Sequence, residues 1–135
     1  AFGYSYTDTE IVQSDQAIQI GSRLQSAPLH AGHVWSRYDV RSGVLQGFGV
    51  GLGVVYSGFR LGILPTSTNP AVFVMPSYTT ADVGLYYARE RFNSTLRISN
   101  LFDEHYIETG GFSGETQIQP GAARNIALSL KVDLW

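Results

Sequence analysis

The sequence has no cysteine and a single lysine, Lys131. Without cysteine there are no disulfides and no thiolate metal sites. With a net charge of -2 and no basic run, the chain lacks the electrostatic footprint of a nucleic-acid binder. No apolar stretch approaches the ~18 residues of a membrane-spanning helix. That leaves a transmembrane β-barrel open, because each of its strands carries only a weak alternating signal. No amphipathic helix stands out. The chain begins at Ala1 with no initiator Met and no signal-like apolar stretch, so a processed chain or a piece of a longer one is expected.

What is present is alternation. Glycine (15) and tyrosine (8) are abundant, a composition that suits strands. The last run is the clearest: Ile126, Leu128, Leu130, Val132 and Leu134 alternate with Asn125, Ala127, Ser129, Lys131 and Asp133. That is a strand with one apolar and one polar face, and about ten residues of it would cross a bilayer at a tilt. The same pattern predicts strands over Ala1–Asp8, Ala31–Val40, Phe48–Ser57, Tyr78–Tyr87 and Phe92–Ser99. The links between the six alternate long, short, long, short, long. Antiparallel strands joined this way carry long loops at one end and tight turns at the other, as outer-membrane barrels do. Tyr38, Phe48, Tyr56, Tyr78, Tyr87, Phe92 and Trp135 lie near strand ends, where interfacial aromatic belts sit.

Register follows from link length. A short link over Arg41–Gly47 sets Val40 opposite Phe48, Tyr38 opposite Val50 and Val34 opposite Val54, with Trp35 and Arg37 over Gly53 and Gly51. A four-residue link Ala88–Arg91 sets Tyr87 opposite Phe92 and Leu85 opposite Ser94, with Asp82 facing Arg97 as a polar-face ion pair. Both hairpins keep face parity. Six strands cannot close a membrane barrel, whose smallest members have eight. Open edges would expose unpaired backbone to lipid. The expected fold is therefore all-β: an antiparallel transmembrane β-barrel of which this chain supplies about six strands.

Asn100-Leu101-Phe102-Asp103-Glu104-His105-Tyr106 resembles the Asn-Leu-Phe-Asp-x-x-Tyr motif on the penultimate strand of TonB-dependent outer-membrane receptors. Pro120-Gly121-Ala122-Ala123-Arg124, followed by an amphipathic strand and the terminal Trp135, is similar to their last strand. So are the segment from Leu24 to Trp35 and Pro76-Ser77-Tyr78-Thr79-Thr80-Ala81-Asp82-Val83-Gly84-Leu85 to upstream parts, especially of the siderophore branch. The resemblance spans essentially the whole chain. It implies the C-terminal strands of an about 22-stranded barrel whose lumen is plugged by an N-terminal domain absent from this sequence. It also implies a bacterial outer-membrane location, uptake of a ferric siderophore and energy from the TonB complex through the missing N-terminal region. Trp135 would be the signal read by the barrel-assembly machinery. Iron would arrive already chelated, so no cofactor and no direct protein ligation are expected.

Binding is expected in the long links, since loops vary on a fixed scaffold. Phe59, Arg60, Phe73, Tyr106, Phe112, Gln117 and Gln119 are candidates to touch the siderophore, the aromatics by stacking and the amides and Arg through polar oxygens. The competing reading is that they pack loops on each other. Asp82 and Arg97 are expected as a structural lumen pair, and Asn100 to Asp103 as hydrogen-bonding groups that tie a strand end to a loop. His30, His33 and His105 match no zinc spacing. No nucleophile elbow is present, so an enzyme is not expected. A passive channel or small barrel formed by chain association is the alternative function. A soluble β-sandwich would have to bury the stripes of Phe48–Tyr56 and Ile126–Leu134 against each other.

Overall fold

In the computed structural model the described residues are 1–112 and 115–134, and within 111–117 only the backbone is described; Trp135 lies outside the described residues. Among the described residues ten strands form: β1 Phe2–Tyr6, β2 His30–Asp39, β3 Phe48–Ser57, β4 Arg60–Ile63, β5 Phe73–Met75, β6 Tyr78–Arg89, β7 Phe92–Ser99, β8 Ile107–Phe112, β9 Glu115–Pro120 and β10 Asn125–Val132. Six of them make one antiparallel sheet in the order β1-β2-β3-β6-β7-β10. They are the six strands the alternation marks. The other four form two hairpins, β4–β5 and β8–β9, inside the second and third long connections. Sequence reading misses both. Pro65, Pro70 and Pro76 break that connection into pieces too short to show a period, and Gly110-Gly111 blurs the next.

The β2–β3 register is the expected one: Tyr38 faces Val50, Val34 faces Val54, and Trp35 and Arg37 lie opposite Gly53 and Gly51. The β6–β7 register differs by two residues. Tyr87 faces Ser94, Leu85 faces Leu96, Val83 faces Ile98 and Arg89 faces Phe92. The link is therefore Glu90-Arg91 alone, with Glu90 in the left-handed region at φ 49°. Ala88 and Arg89 continue the ladder instead of looping out, which pairs two more residues of backbone. An even shift preserves which side chains share a face, so the apolar stripe survives. Arg97 now faces Gly84, not Asp82.

One face of the sheet is apolar and uncovered. Leu52, Leu85, Ile126, Leu128, Leu130 and Val132 are all exposed there, Leu128 by 64 %. A water-soluble domain would bury such a face. Rings gather toward the tight-turn end, with Phe48 and Tyr87 at 4.6 Å between centroids and Tyr87 and Phe92 at 6.1 Å. The other face is polar and bulky over small residues. Gly49, Gly51 and Gly53 are buried beneath Asp39, Trp35 and Tyr86, and a Cβ on Gly51 would stand 2.7 Å from the Trp35 ring. Arg37 pairs with Asp39 at 2.8 Å and lies 3.8 Å above the Tyr86 ring. Among the described residues the one fully buried large side chain is Met75, and it belongs to a loop hairpin, not to the sheet.

The two faces of β10 separate cleanly by substitution. Leu128→Arg is expected to cost about 2–4 kcal/mol in refolding titrations of the full-length protein into lipid vesicles, if the residue lies near the midplane. Ser129→Arg, one residue along, is expected to cost under about 1 kcal/mol. Equal losses would mean the face assignment is wrong.

Candidate functional site

All three long connections leave the same end of the sheet, and there they interlock. The first, residues 7–29, reaches the second through Gln19, whose amide donates to the Pro65 carbonyl at 2.9 Å, and through Gln16, which accepts from the Ser67 hydroxyl at 2.9 Å. Gln25 joins all three. Its amide nitrogen donates to the Gly62 carbonyl in the second connection and to the Gly110 carbonyl in the third, the latter at 3.2 Å. Nothing about Gln25 in the sequence signals this role, since a glutamine in a polar segment reads as solvated.

Arg60 lies between the second and third connections. It is 7 % exposed, its guanidinium donates to the carbonyls of Ile107 (2.7 Å) and Glu108 (3.0 Å), and it sits 5.2 Å from the Tyr78 ring centroid. Its Nε is buried without a hydrogen-bond partner among the described residues. Phe73 and Met75 fill the space above Gly62 and Gly110: Cβ atoms on these glycines would stand 2.5 and 3.0 Å from the Phe73 ring. Tyr106 stacks on Tyr78 with centroids 4.0 Å apart and planes 21° apart, and its ring covers Gly121 so closely that no Cβ fits there. Burial, then the neighbouring Tyr78 and Glu108, push the Tyr106 phenol above its ordinary range, so it stays neutral.

Arg60, Phe73 and Tyr106 are thus engaged between connections. Phe59, 50 % exposed, and Gln119 present their side chains to solvent. The side chains of Phe112 and Gln117 lie outside the described residues. The clefts under this layer measure about 210 Å³, against Tyr106 and Gly121, and about 150 Å³, against Tyr78 and His105. Both are smaller than the ~300 Å³ a drug-sized ligand needs. A ligand of that size fits neither of these two clefts; a larger hollow of about 420 Å³ opens on the sheet against His33, Val55, Ser57 and Tyr78.

The motif at the end of β7 is a polar knot. Asn100, 5 % exposed, adopts φ 51°. Its side-chain amide donates to the carbonyls of Glu104 (2.9 Å) and Ala122 (3.0 Å), and its Oδ1 accepts from the Glu104 N–H (2.9 Å). Its own N–H donates to Asp82 Oδ1 at 3.0 Å. Asp103, at φ 57°, accepts from the Arg124 N–H at 2.9 Å. That bond, reinforced by the Arg124 charge, holds its carboxyl below the ordinary carboxylate range. A depressed folded value means the contribution is complete at neutral pH and is lost as pH falls below about 4. Leu101 donates its N–H to Ala81 at 2.7 Å, while Phe102 is 77 % exposed. Asn and Asp suit these positions because they tolerate left-handed φ and carry short polar side chains.

Asp82 and Arg97 meet at 3.5 Å across a diagonal, and Arg97 lies 6.0 Å from the Trp35 ring. Arg97 is well exposed, so the pair contributes at most about 1 kcal/mol. Asp82 also caps Asn100, tying the pair to the knot. The histidines lie apart: His30 Nδ1 is 2.8 Å from the Tyr4 hydroxyl, His33 covers Gly3 on the opposite face, and His105 is exposed at the third connection. Among the described residues no three His, Asp or Glu converge.

The profile of the family described as TonB dependent receptor-like, beta-barrel, matches residues 1–101. The metal-pseudopaline receptor CntO of Pseudomonas aeruginosa is 35 % identical over 132 residues, covering 96 % of this chain and 18 % of that protein. The ferrioxamine B receptor of Salmonella typhimurium is 32 % identical over 109 residues, covering 77 % of this chain and 15 % of that protein. Among solved structures, the siderophore receptor PiuA of Acinetobacter baumannii superposes with a TM-score of 0.81 at 25 % identity, over 97 % of this chain and 19 % of that one. The ferric-catecholate import receptor Fiu of E. coli K12 gives 0.76 at 27 % identity, over 97 % and 18 %. The chain spans less than a fifth of the length of these relatives.

Two substitutions test the roles read here. Asn100→Ala removes three side-chain hydrogen bonds and places alanine at a left-handed φ; a loss of about 2–4 kcal/mol is expected in chemical unfolding of the full-length protein. Arg60→Met strands two carbonyls; amide exchange over β8 is expected to quicken about tenfold or more, while the six-stranded sheet keeps its protection.

Proposed function

This chain belongs to the TonB-dependent receptor β-barrel family, and from that membership we propose that it supplies the last strands and three extracellular connections of a receptor that takes up ferric siderophores with energy delivered through TonB. Its apolar face is the lipid-facing wall of a barrel in the Gram-negative outer membrane. The observation that carries the reading is the interlocked layer of long connections, held by Gln25 and Arg60 over one end of that wall. Such a layer offers a shaped, stiff surface to something arriving from outside, as a receptor requires and a plain pore does not.

The cargo class is a metal chelate. The similar proteins are named for metal-pseudopaline, ferrioxamine B and ferric catecholate. Iron enters wrapped by its chelator, so the protein meets the chelator's surface and supplies no ligand to the metal. Phe59 and Gln119, exposed on this layer, are the residues we assign to that contact, the ring against the apolar parts and the amide against the polar oxygens. The domain that plugs the lumen and reaches TonB belongs to other parts of the receptor, and the terminal strand with Trp135 serves recognition during barrel assembly. The chain carries no catalytic role.

Fluorescence titration of the full-length protein with ferric hydroxamate and ferric catecholate chelates is the direct test. Saturable quenching by one class is expected. Phe59→Ala or Gln119→Ala is expected to weaken it about five- to tenfold without altering the heat-modified mobility of the barrel. Linear, non-saturable passage of unrelated small solutes, with no chelate saturating, would favour a passive channel instead.

A further inference from the structure

The chain has eight arginines, and five have partners: Arg23 on Asp8, Arg37 on Asp39, Arg60 on the β8 carbonyls, Arg97 on Asp82 and Arg124 on Asp103. The side chains of the remaining three, Arg41, Arg89 and Arg91, make no hydrogen bond or ion pair among the described residues, and all three are exposed. They are not scattered. Arg41 opens the β2–β3 turn, Arg89 ends β6, and Arg91 lies in the β6–β7 turn, so all sit at the tight-turn end. The two turns are fastened together by the Ala88 N–H on the Gly47 carbonyl at 2.8 Å. Between them runs a cleft of about 530 Å³ lined by Gly43, Val44, Gln46, Ala88, Arg89 and Glu90. Glu90 is the one acid in these turns, while the nearby Lys131 is neutralised by Asp133 at 3.0 Å.

Two further observations say what meets these charges. Arg89 lies opposite Phe92 and shares the apolar face of β6 with Leu85 and Tyr87, so it points toward lipid at the level of the Phe48–Tyr87–Phe92 rings. The tip of the β2–β3 turn carries Val44 and Leu45, exposed by 102 % and 61 %. An unpaired cation on a lipid-facing wall, beside an aromatic belt and an uncovered apolar tip, matches a molecule with an anionic head and an apolar tail. Tight turns of such barrels face the periplasm, so the adjoining lipid is that of the inner leaflet.

We propose that Arg41, Arg89 and Arg91 form a phosphate-binding site for an anionic phospholipid of the leaflet that borders the tight turns. The phosphate is held between the two turns by the arginines, and the acyl chains lie along Val44, Leu45 and the ring belt. The site is independent of what the receptor transports.

The test is native mass spectrometry of the full-length protein from detergent, with phosphatidylglycerol or phosphatidylcholine of the same acyl chains, or inorganic phosphate, added. Retention of phosphatidylglycerol over phosphatidylcholine is expected. Each of Arg41→Gln, Arg89→Gln and Arg91→Gln is expected to lower that preference about fivefold. V44S/L45S is expected to weaken retention of both lipids. Equal retention of both lipids by the unaltered protein, or undiminished preference in the triple arginine variant, would overturn the site. Displacement by millimolar inorganic phosphate, with V44S/L45S unchanged, would make it a free-anion site and overturn the lipid assignment. All five side chains are exposed, and unchanged heat-modified mobility shows that the variants fold.

Discussion

The constraint on which this structure depends is that a backbone in hydrocarbon has no water to bond. Every N–H and C=O in the span must find a partner on a neighbouring strand. The six-stranded sheet meets that demand along β2, β3, β6 and β7, each paired on both sides. The same constraint accounts for the β6–β7 register, where Ala88 and Arg89 stay in the ladder and leave only two residues to turn. Packing plays little part in the sheet. Its apolar face has no protein over it, and its polar face is kept close by glycines that let Trp35 and Tyr86 lie flat on the backbone.

The balance reverses at the long-connection end. There the chain is outside the hydrocarbon and behaves like a small water-soluble domain, with Met75 and Phe73 as its core and the buried Arg60 and Asn100, with the half-buried Gln25, as its polar framework. The polar knot at Asn100 is the junction between the two regimes. It ends β7, receives support from Asp82 in β6, and reaches the residues just before β10 through Ala122.

The strands were legible because a membrane wall writes its two environments into alternate residues, and β3 and β10 do so most plainly. Face parity was legible for the same reason, although the β6–β7 register was off by two: parity is blind to an even shift. The hairpins were not legible. β4 and β5 have four and three residues, too few for a period, and their stability comes from contacts with β8 that no local pattern encodes. The Asn-Leu-Phe-Asp block announced itself as a motif, while the hydrogen bonds that give it purpose run to Glu104 and Ala122. Among the loop residues, chemistry alone did not separate Arg60, which is buried on carbonyls, from Phe59 beside it, which faces outward. Their difference is one of strand parity in a strand that sequence could not see.

The groups that fasten the long connections share a habit. Arg60 grips the carbonyls of Ile107 and Glu108, Gln25 those of Gly62 and Gly110, Gln19 that of Pro65, and Asn100 those of Glu104 and Ala122. Each holds an atom that every amino acid possesses. The clasp therefore constrains where the main chain runs and says little about the side chains it displays. A lineage under pressure to recognise a new chelate can rewrite the outward-facing positions of these connections one at a time, and the frame that presents them will not notice.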